Sequence, residues 1–183
     1  PKTALNKLIE QKRSLPVNSE KQANQFLLLM KVMRQYGYDH YEISNYAKPG
    51  MKSKHNSSYW EGKKYYGFGP SAHSFDGINK RRWNVSNNAL YIQSLKNNTI
   101  PYEEEVLTDT QRLNEYIMTS LRTMEGIDKQ FVGLKFGAKS LEEIKSTIQK
   151  YVESNKVIIE NGNFVLTNEG KLFADGISSD LFF

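Results

Sequence analysis

The sequence contains no cysteine, three histidines and five prolines in 183 residues. It also has no apolar run near the ~18–20 residues that cross a bilayer as a helix. Each shortage excludes a class. Without thiolates these residues cannot build a disulfide framework, a thiolate zinc site or a cysteine-ligated iron–sulfur cluster. His40, His55 and His73 have no partner at the i+4 spacing of a helical zinc pair. What is present argues for a folded chain: 38% hydrophobic and 12% aromatic residues exceed what a disordered segment carries. Domains average ~100–150 residues, so the length allows one large domain or two small ones. The chain opens at Pro1 without Met and enters a helical pattern at once. It therefore reads as a piece of a longer protein, and each exclusion applies to the piece.

The net charge of +5 is unevenly spread. Residues 1–108 carry 16 basic and 9 acidic side chains, net +7, and residues 109–183 carry 9 and 11, net −2. Within 48–82, eight Lys and Arg face only Glu61 and Asp76, a local +6 interleaved with Tyr59, Trp60, Tyr65, Tyr66, Phe68 and Phe75. Such a stretch suits a flat anionic ligand, and also single-stranded nucleic acid, through charge neutralisation plus stacking. A solvated basic loop has the same composition.

Periodicity predicts a helix over 3–13 with Thr3 as N-cap, then a second started by a Ser19/Gln22 capping box and stopped at Gly37. Tyr38–Ser44 reads as one strand. Helix, glycine, strand is the rhythm of an α/β layer. Residues 45–77 read as irregular, with short strands expected at 65–68 and 82–85 and a helix capped by Ser86. Residues 103–108, opening on Glu103-Glu104-Glu105, read as a linker. Beyond it, capping boxes at Thr108/Gln111 and Ser140/Glu143 and a cap at Asp128 predict three helices. Asn161-Gly162-Asn163 then predicts a hairpin turn, and Thr167 caps a last turn. Three helices followed by a hairpin is a winged-helix order. Its net −2 argues against DNA binding, which needs a basic face.

Gly67-Phe68-Gly69-Pro70-Ser71-Ala72 mimics a dinucleotide fingerprint. Gly77 interrupts the helix that should follow, and no acidic residue stands about twenty positions on, so that site is rejected. The glycines allow close backbone approach, to a ligand or within a tight turn. Ser71 near His73 is too weak a spacing for a nucleophile–base pair. His40 reads as structural. His55 and His73 are each open to haem ligation, proton transfer or a hydrogen-bonded turn.

Ordered motifs then narrow the reading. Tyr41–Gly50, Ser53–Trp60, Gly67–Gly77, Arg82 with Asn84, 105–108, 112–115, Leu121–Thr123 to Gly126-Ile127, Leu166-Thr167 to Gly170 and 180–182 together resemble the oxygen-independent coproporphyrinogen III oxidase family of radical S-adenosylmethionine (SAM) proteins. Within it, His55-Asn56-x-x-Tyr59-Trp60 resembles the HemW branch motif associated with haem binding. The resemblance implies His55, Asn56, Tyr59 and Trp60 as haem-binding residues, with His55 as an iron ligand. An imidazole, flat rings and neighbouring Lys and Arg for propionates agree with that chemistry. It implies that Gly67, Gly69, Ser71, Ala72 and His73 form a loop bordering the SAM pocket. The family's [4Fe–4S] cluster is held by a C-x-x-x-C-x-x-C run that is absent here, so the piece by itself cannot cleave SAM.

The expected fold is therefore α/β, the end of a partial radical SAM barrel over 1–102, followed over 103–183 by a mainly α, winged-helix-like domain with a β-hairpin. The expected function is haem chaperoning in the cytoplasm, with haem-accepting proteins as partners and nucleic acid disfavoured. The alternative is oxidative decarboxylation of coproporphyrinogen III to protoporphyrinogen IX. A truncated sheet exposes apolar surface and an unpaired edge, which predicts homo-dimerisation or swapping.

Overall fold

A computed structural model describes residues 3–183. Pro1 and Lys2, the opening of the first expected segment, lie outside the described residues. Thr3 caps α1 (Ala4–Glu10) as expected, its hydroxyl accepting from the Asn6 N–H. Helix α2 (Ser19–Gln35) is capped by Asn18 rather than by a Ser19 box, because the Asn18 carboxamide oxygen already accepts from the Lys21 N–H. The single strand expected over Tyr38–Ser44 is instead an antiparallel hairpin of β1 (Asp39–Glu42) and β2 (Asn45–Ala47). Its turn is fastened by the buried Glu42 carboxylate, which accepts from the Ser44 N–H at 3.0 Å and Asn45 Nδ2 at 2.6 Å.

The 45–77 stretch is less irregular than its composition suggests. Ser53 caps a helix, α3 (Lys54–Trp60), that carries the whole H-N-x-x-Y-W motif. The expected strand at 65–68 reduces to one bridge between Tyr65 and Phe75. Strands β3 (His73–Phe75) and β4 (Lys80–Asn84) pair antiparallel. Asn87, not Ser86, caps α4 (Asn88–Lys96). The expected linker is a strand, β5 (Tyr102–Val106), paired antiparallel along β4. Its acidic run is drawn there by charge: Arg81 lies opposite Glu105 and Arg82 opposite Glu104, the cross-strand arrangement that stabilises a ladder.

Beyond β5 the elements follow the expected order of three helices and then a hairpin. The Thr108/Gln111 box starts α5 (Asp109–Ser120), whose Leu113 and Ile117 are buried one turn apart, with Leu121 buried just beyond the helix. A two-residue strand, β6 (Ile127–Asp128), leads into α6 (Lys129–Phe136), capped by Asp128. Helix α7 (Ala138–Glu153) starts at Gly137 without the expected capping box; the Ser140 hydroxyl donates back to the Phe136 carbonyl instead. Strands β7 (Val157–Glu160) and β8 (Asn163–Leu166) form the hairpin, and β6 joins it in the order β6-β8-β7. A 3₁₀ turn (Gly170–Phe173) follows, its Gly170 N–H donating to the Thr167 hydroxyl, and then α8 (Ala174–Asp180).

The largest buried cluster lies in this second part, around Ile117, Leu121, Ile127, Val132, Ile144 and Ile148. Each such side chain contributes about 1.5–3 kcal/mol of burial. Fewer residues are buried before it, chiefly Met30, Tyr41, Ala47 and Leu107, while Leu28 and Leu29 on α2 stay exposed. All described strand pairings are antiparallel. The observed class is thus mixed α/β with antiparallel hairpins, and no described helix is long and apolar enough to cross a membrane.

The two parts are joined by specific contacts. The Arg122 carbonyl accepts from the Ile43 N–H, and the Met124 N–H donates to the Tyr41 carbonyl. Arg122 Nε lies 3.4 Å from the Glu42 carboxylate. His40, read as structural, is fully engaged. Its Nε2–H donates to the Ile43 carbonyl at 2.9 Å, its Nδ1 accepts from the Lys171 ammonium at 3.1 Å, and its ring stacks on Tyr46. Burial lowers both the His40 and Lys171 pKa, so this imidazole sits as the neutral acceptor of a half-buried cation.

Candidate functional site

Helix α3 puts His55 and Tyr59 one turn apart, on one face, and their rings meet edge to face with centroids 5.0 Å apart. His55 is exposed, and its imidazole makes no hydrogen bond among the described residues. Tyr59 continues the contact to Tyr65, at 4.9 Å. Trp60 lies on the opposite side of the turn from His55 and receives the Arg122 guanidinium over its ring at 5.9 Å. Its Nε1 is buried without a hydrogen-bond partner. Asn56 is half-buried, and its backbone N–H is taken by the Ser53 cap.

Tyr59 and Trp60 open onto a cleft of about 650 Å³, walled on its other side by α5 and α6 through Glu115, Tyr116, Phe131 and Phe136. Ligand clefts typically measure ~300–1,000 Å³. Tyr116 and Phe131 lie with centroids 4.6 Å apart, tilted, and Phe131 and Phe136 at 6.0 Å, edge to face, so the far wall is a cluster of rings. Burial raises the Tyr65 and Tyr116 phenols above their usual range, which keeps both neutral at physiological pH. The cations lining the cleft are Lys63, Arg81, Arg112 and Lys135. Arg81 is held between Glu105 and Glu115, at 2.6 and 2.9 Å. Arg112 reaches Asp109, Lys63 reaches Glu61, and Lys135 makes no ion pair among the described residues. The walls of this cleft were not legible in the sequence, because its residues come from four separated segments. The acidic run on β5 also answers part of the +6 in 48–82: Lys80 and Arg81 pair with it directly.

The glycine loop lies apart from the cleft. Gly67 is needed by the chain itself: a Cβ there would stand 2.1 Å from the His73 carbonyl oxygen. The Gly67 N–H donates to Ser74 Oγ at 2.9 Å, and Asn84 Nδ2 donates to the Gly69 carbonyl at 2.9 Å. The Asn84 N–H donates to the Ala72 carbonyl. Buried Ser74 and Asn84 therefore set the loop, and Phe68, Ser71 and His73 are its exposed side chains. His73 tilts against Trp83 at 6.1 Å. His55 and His73 are not brought together. No three His, Asp or Glu side chains among the described residues cluster to hold a metal, and with no cysteine the chain offers nothing that fits a [4Fe–4S] cluster.

Geometry defines a class first: a mixed α/β fold with antiparallel hairpins and an aromatic cleft lined from α3, α5 and α6. Residues 107–173 match the HemN C-terminal domain. The chain is 33% identical over 180 residues, 97% of its length, to a protein named Heme chaperone HemW from Bacillus subtilis, and 31% identical along its whole length to one from Synechocystis. It is 26% identical, over 96% of its length, to radical S-adenosyl methionine domain-containing protein 1, mitochondrial, of Danio rerio. It spans about half the length of the curated relatives it matches, 47% and 48% of the first two and 42% of the third. The structure of coproporphyrinogen III oxidase (HemN) from Escherichia coli, a radical SAM enzyme, superposes with a TM-score of 0.62 over 84% of this chain and 39% of its own, at 16% identity, a likeness of fold. The chain thus carries a HemN C-terminal domain and is a distant homologue of the HemW haem chaperones over nearly its whole length.

Proposed function

We propose that this chain supplies the haem-handling part of a cytoplasmic, radical SAM-type haem chaperone, built on the end of a partial barrel, that passes haem to acceptor proteins. The observation that carries the reading is His55: an exposed imidazole with an uncommitted ring, braced by Tyr59 on a short capped helix beside an aromatic cleft. A ring so placed suits axial ligation of haem iron, and bound haem would supply the iron to which Nε2 or Nδ1 coordinates. Gly67, Gly69, Ser71, Ala72 and His73 are proposed to border a SAM pocket, presenting Ser71 and His73 from a loop fixed by Ser74 and Asn84. The ligands of any cluster would lie outside this chain.

The test is haem titration followed by absorbance, with wild type and His55→Ala. The expected result is a shifted Soret band and affinity weaker by about tenfold, the size of one lost coordination bond partly replaced by water. An identical spectrum and affinity in the variant would refute the assignment. The nucleic-acid reading is not supported, since the 48–82 cations are largely answered by glutamates and tyrosine rings within the fold.

A further inference from the structure

We propose that the winged-helix-like unit holds the porphyrin macrocycle itself, in the cleft between α3 and α5–α6, with Lys135 meeting a propionate carboxylate. This rests on the haem-handling reading above but not on iron ligation by His55. Three observations converge on a flat, aromatic, anionic occupant. The cleft is walled by rings on both sides, Tyr59 and Trp60 from α3 and Tyr116, Phe131 and Phe136 from the winged unit. Of its apolar lining, Tyr59, Met118 and Phe131 remain 43%, 43% and 41% exposed, surface that a ligand would remove from water. One cation on it is uncommitted: Lys135 makes no ion pair among the described residues.

Charge selects the sign of the ligand. Asp128, which lines the cleft, already accepts from the Gln130 and Phe131 N–H groups. Glu115 is occupied by Arg81. Among the described residues Arg112 is held only by Asp109, whose side chain is 88% exposed and easily exchanged for another carboxylate. Uncommitted charge in the cleft is therefore positive, and it sits on the winged unit. His55 does not line the cleft but contacts Tyr59, which does.

The probe is metal-free protoporphyrin IX, which offers His55 nothing to ligate. Trp83→Phe leaves Trp60 as the only tryptophan of the two, so fluorescence reports the cleft. Saturable quenching of Trp60 is expected, with affinity about fivefold weaker in Lys135→Glu, an exposed position where folding is not at stake. Lys139→Glu, the same charge change on α7 at a side chain 93% exposed, should stay within about twofold. Phe131→Ala should also weaken binding. The proposal is overturned by binding that leaves Trp60 unquenched, by equal losses in the two lysine variants, or by a protein that binds haem but not protoporphyrin IX. That last result would leave the His55 assignment standing. A haem spectrum indifferent to His55→Ala, with Lys135-dependent porphyrin binding, would do the reverse.

Discussion

Arg122 meets two carboxylates in opposite surroundings, and removing each in turn should separate burial from charge. Glu42 is 2% exposed and lies 3.4 Å from Nε; Asp175 is 91% exposed and lies 3.1 Å from Nη1. Distance alone would favour Asp175. In water, however, such a pair is worth about 0–1 kcal/mol, whereas removing one partner of a buried pair costs ~3–5 kcal/mol. Glu42 also accepts from the Ser44 N–H and Asn45 Nδ2, donors left facing a cavity when the carboxylate goes. Arg122 is itself 26% exposed and keeps Asp175, so Glu42→Ala belongs at the lower end, about 3 kcal/mol. For a chain of this length that is a fall of roughly 6–12 °C in midpoint. Glu42→Gln, of equal volume, should lose about 2 kcal/mol, because its amide presents N–H to a site made of donors. Asp175→Asn should lose at most about 0.5 kcal/mol. Urea unfolding at pH 7 measures all three. A Glu42→Gln loss no larger than that of Asp175→Asn would refute the argument from burial.

Two glycines six positions apart should respond with opposite signs to alanine. At Gly170 a Cβ would stand 1.9 Å from the Lys156 carbonyl oxygen, so Gly170→Ala should destabilise by about 1–3 kcal/mol or more. At Gly176, inside α8, it meets nothing within 4 Å, so Gly176→Ala should stabilise by about 0.5–1 kcal/mol, again by urea unfolding. His40 is held below its ordinary pKa by burial first and by Lys171, against the opposing Ile43 hydrogen bond and Glu42 charge. The unfolded chain then binds the proton more tightly, so His40's contribution is complete above ~6.5 and is lost as pH falls through the lower folded value. The stability difference between wild type and His40→Phe should shrink as pH falls from 7 to 5, and a difference that stays constant or grows would refute this.

Local signals read well where side chains close on their own backbone. Thr3, Thr108, Asp128 and the Asn161-Gly162 turn behave as their chemistry requires. Errors arise where a nearer donor–acceptor pair wins. Asn18 outcompetes Ser19 by one residue, and Ser140 satisfies a carbonyl of the preceding helix instead of capping its own. The larger misses are non-local. Glu103–Glu105 looks like a linker until Arg81 and Arg82 lie opposite it. Likewise α3 is too short and too polar to announce itself, and no residue of it is buried. Within the H-N-x-x-Y-W motif, sequence spacing groups His55 with Trp60, while the helix gives them separate tasks.

That division extends to the other motif residues. Glu42 and Arg122, far apart in sequence, fasten the β1–β2 hairpin to the winged unit, and Arg122 then lies over Trp60. Lys52, just before α3, reaches Glu125 at 2.7 Å. Helix α3 is therefore positioned largely from the winged unit, although it precedes that unit by about fifty residues. Ser74 and Asn84 do the same for the glycine loop from β3 and β4. Among the motif residues, then, most of those that are buried hold geometry, while exposed side chains such as His55, Tyr59, Phe68, Ser71 and His73 remain to meet a ligand. It follows that a change at Glu42 should act on the cleft as well as on stability. Its loss leaves the guanidinium that lies over Trp60 held by the exposed Asp175 alone among the described residues, so porphyrin quenching of Trp60 should weaken in Glu42→Gln even where the protein stays folded.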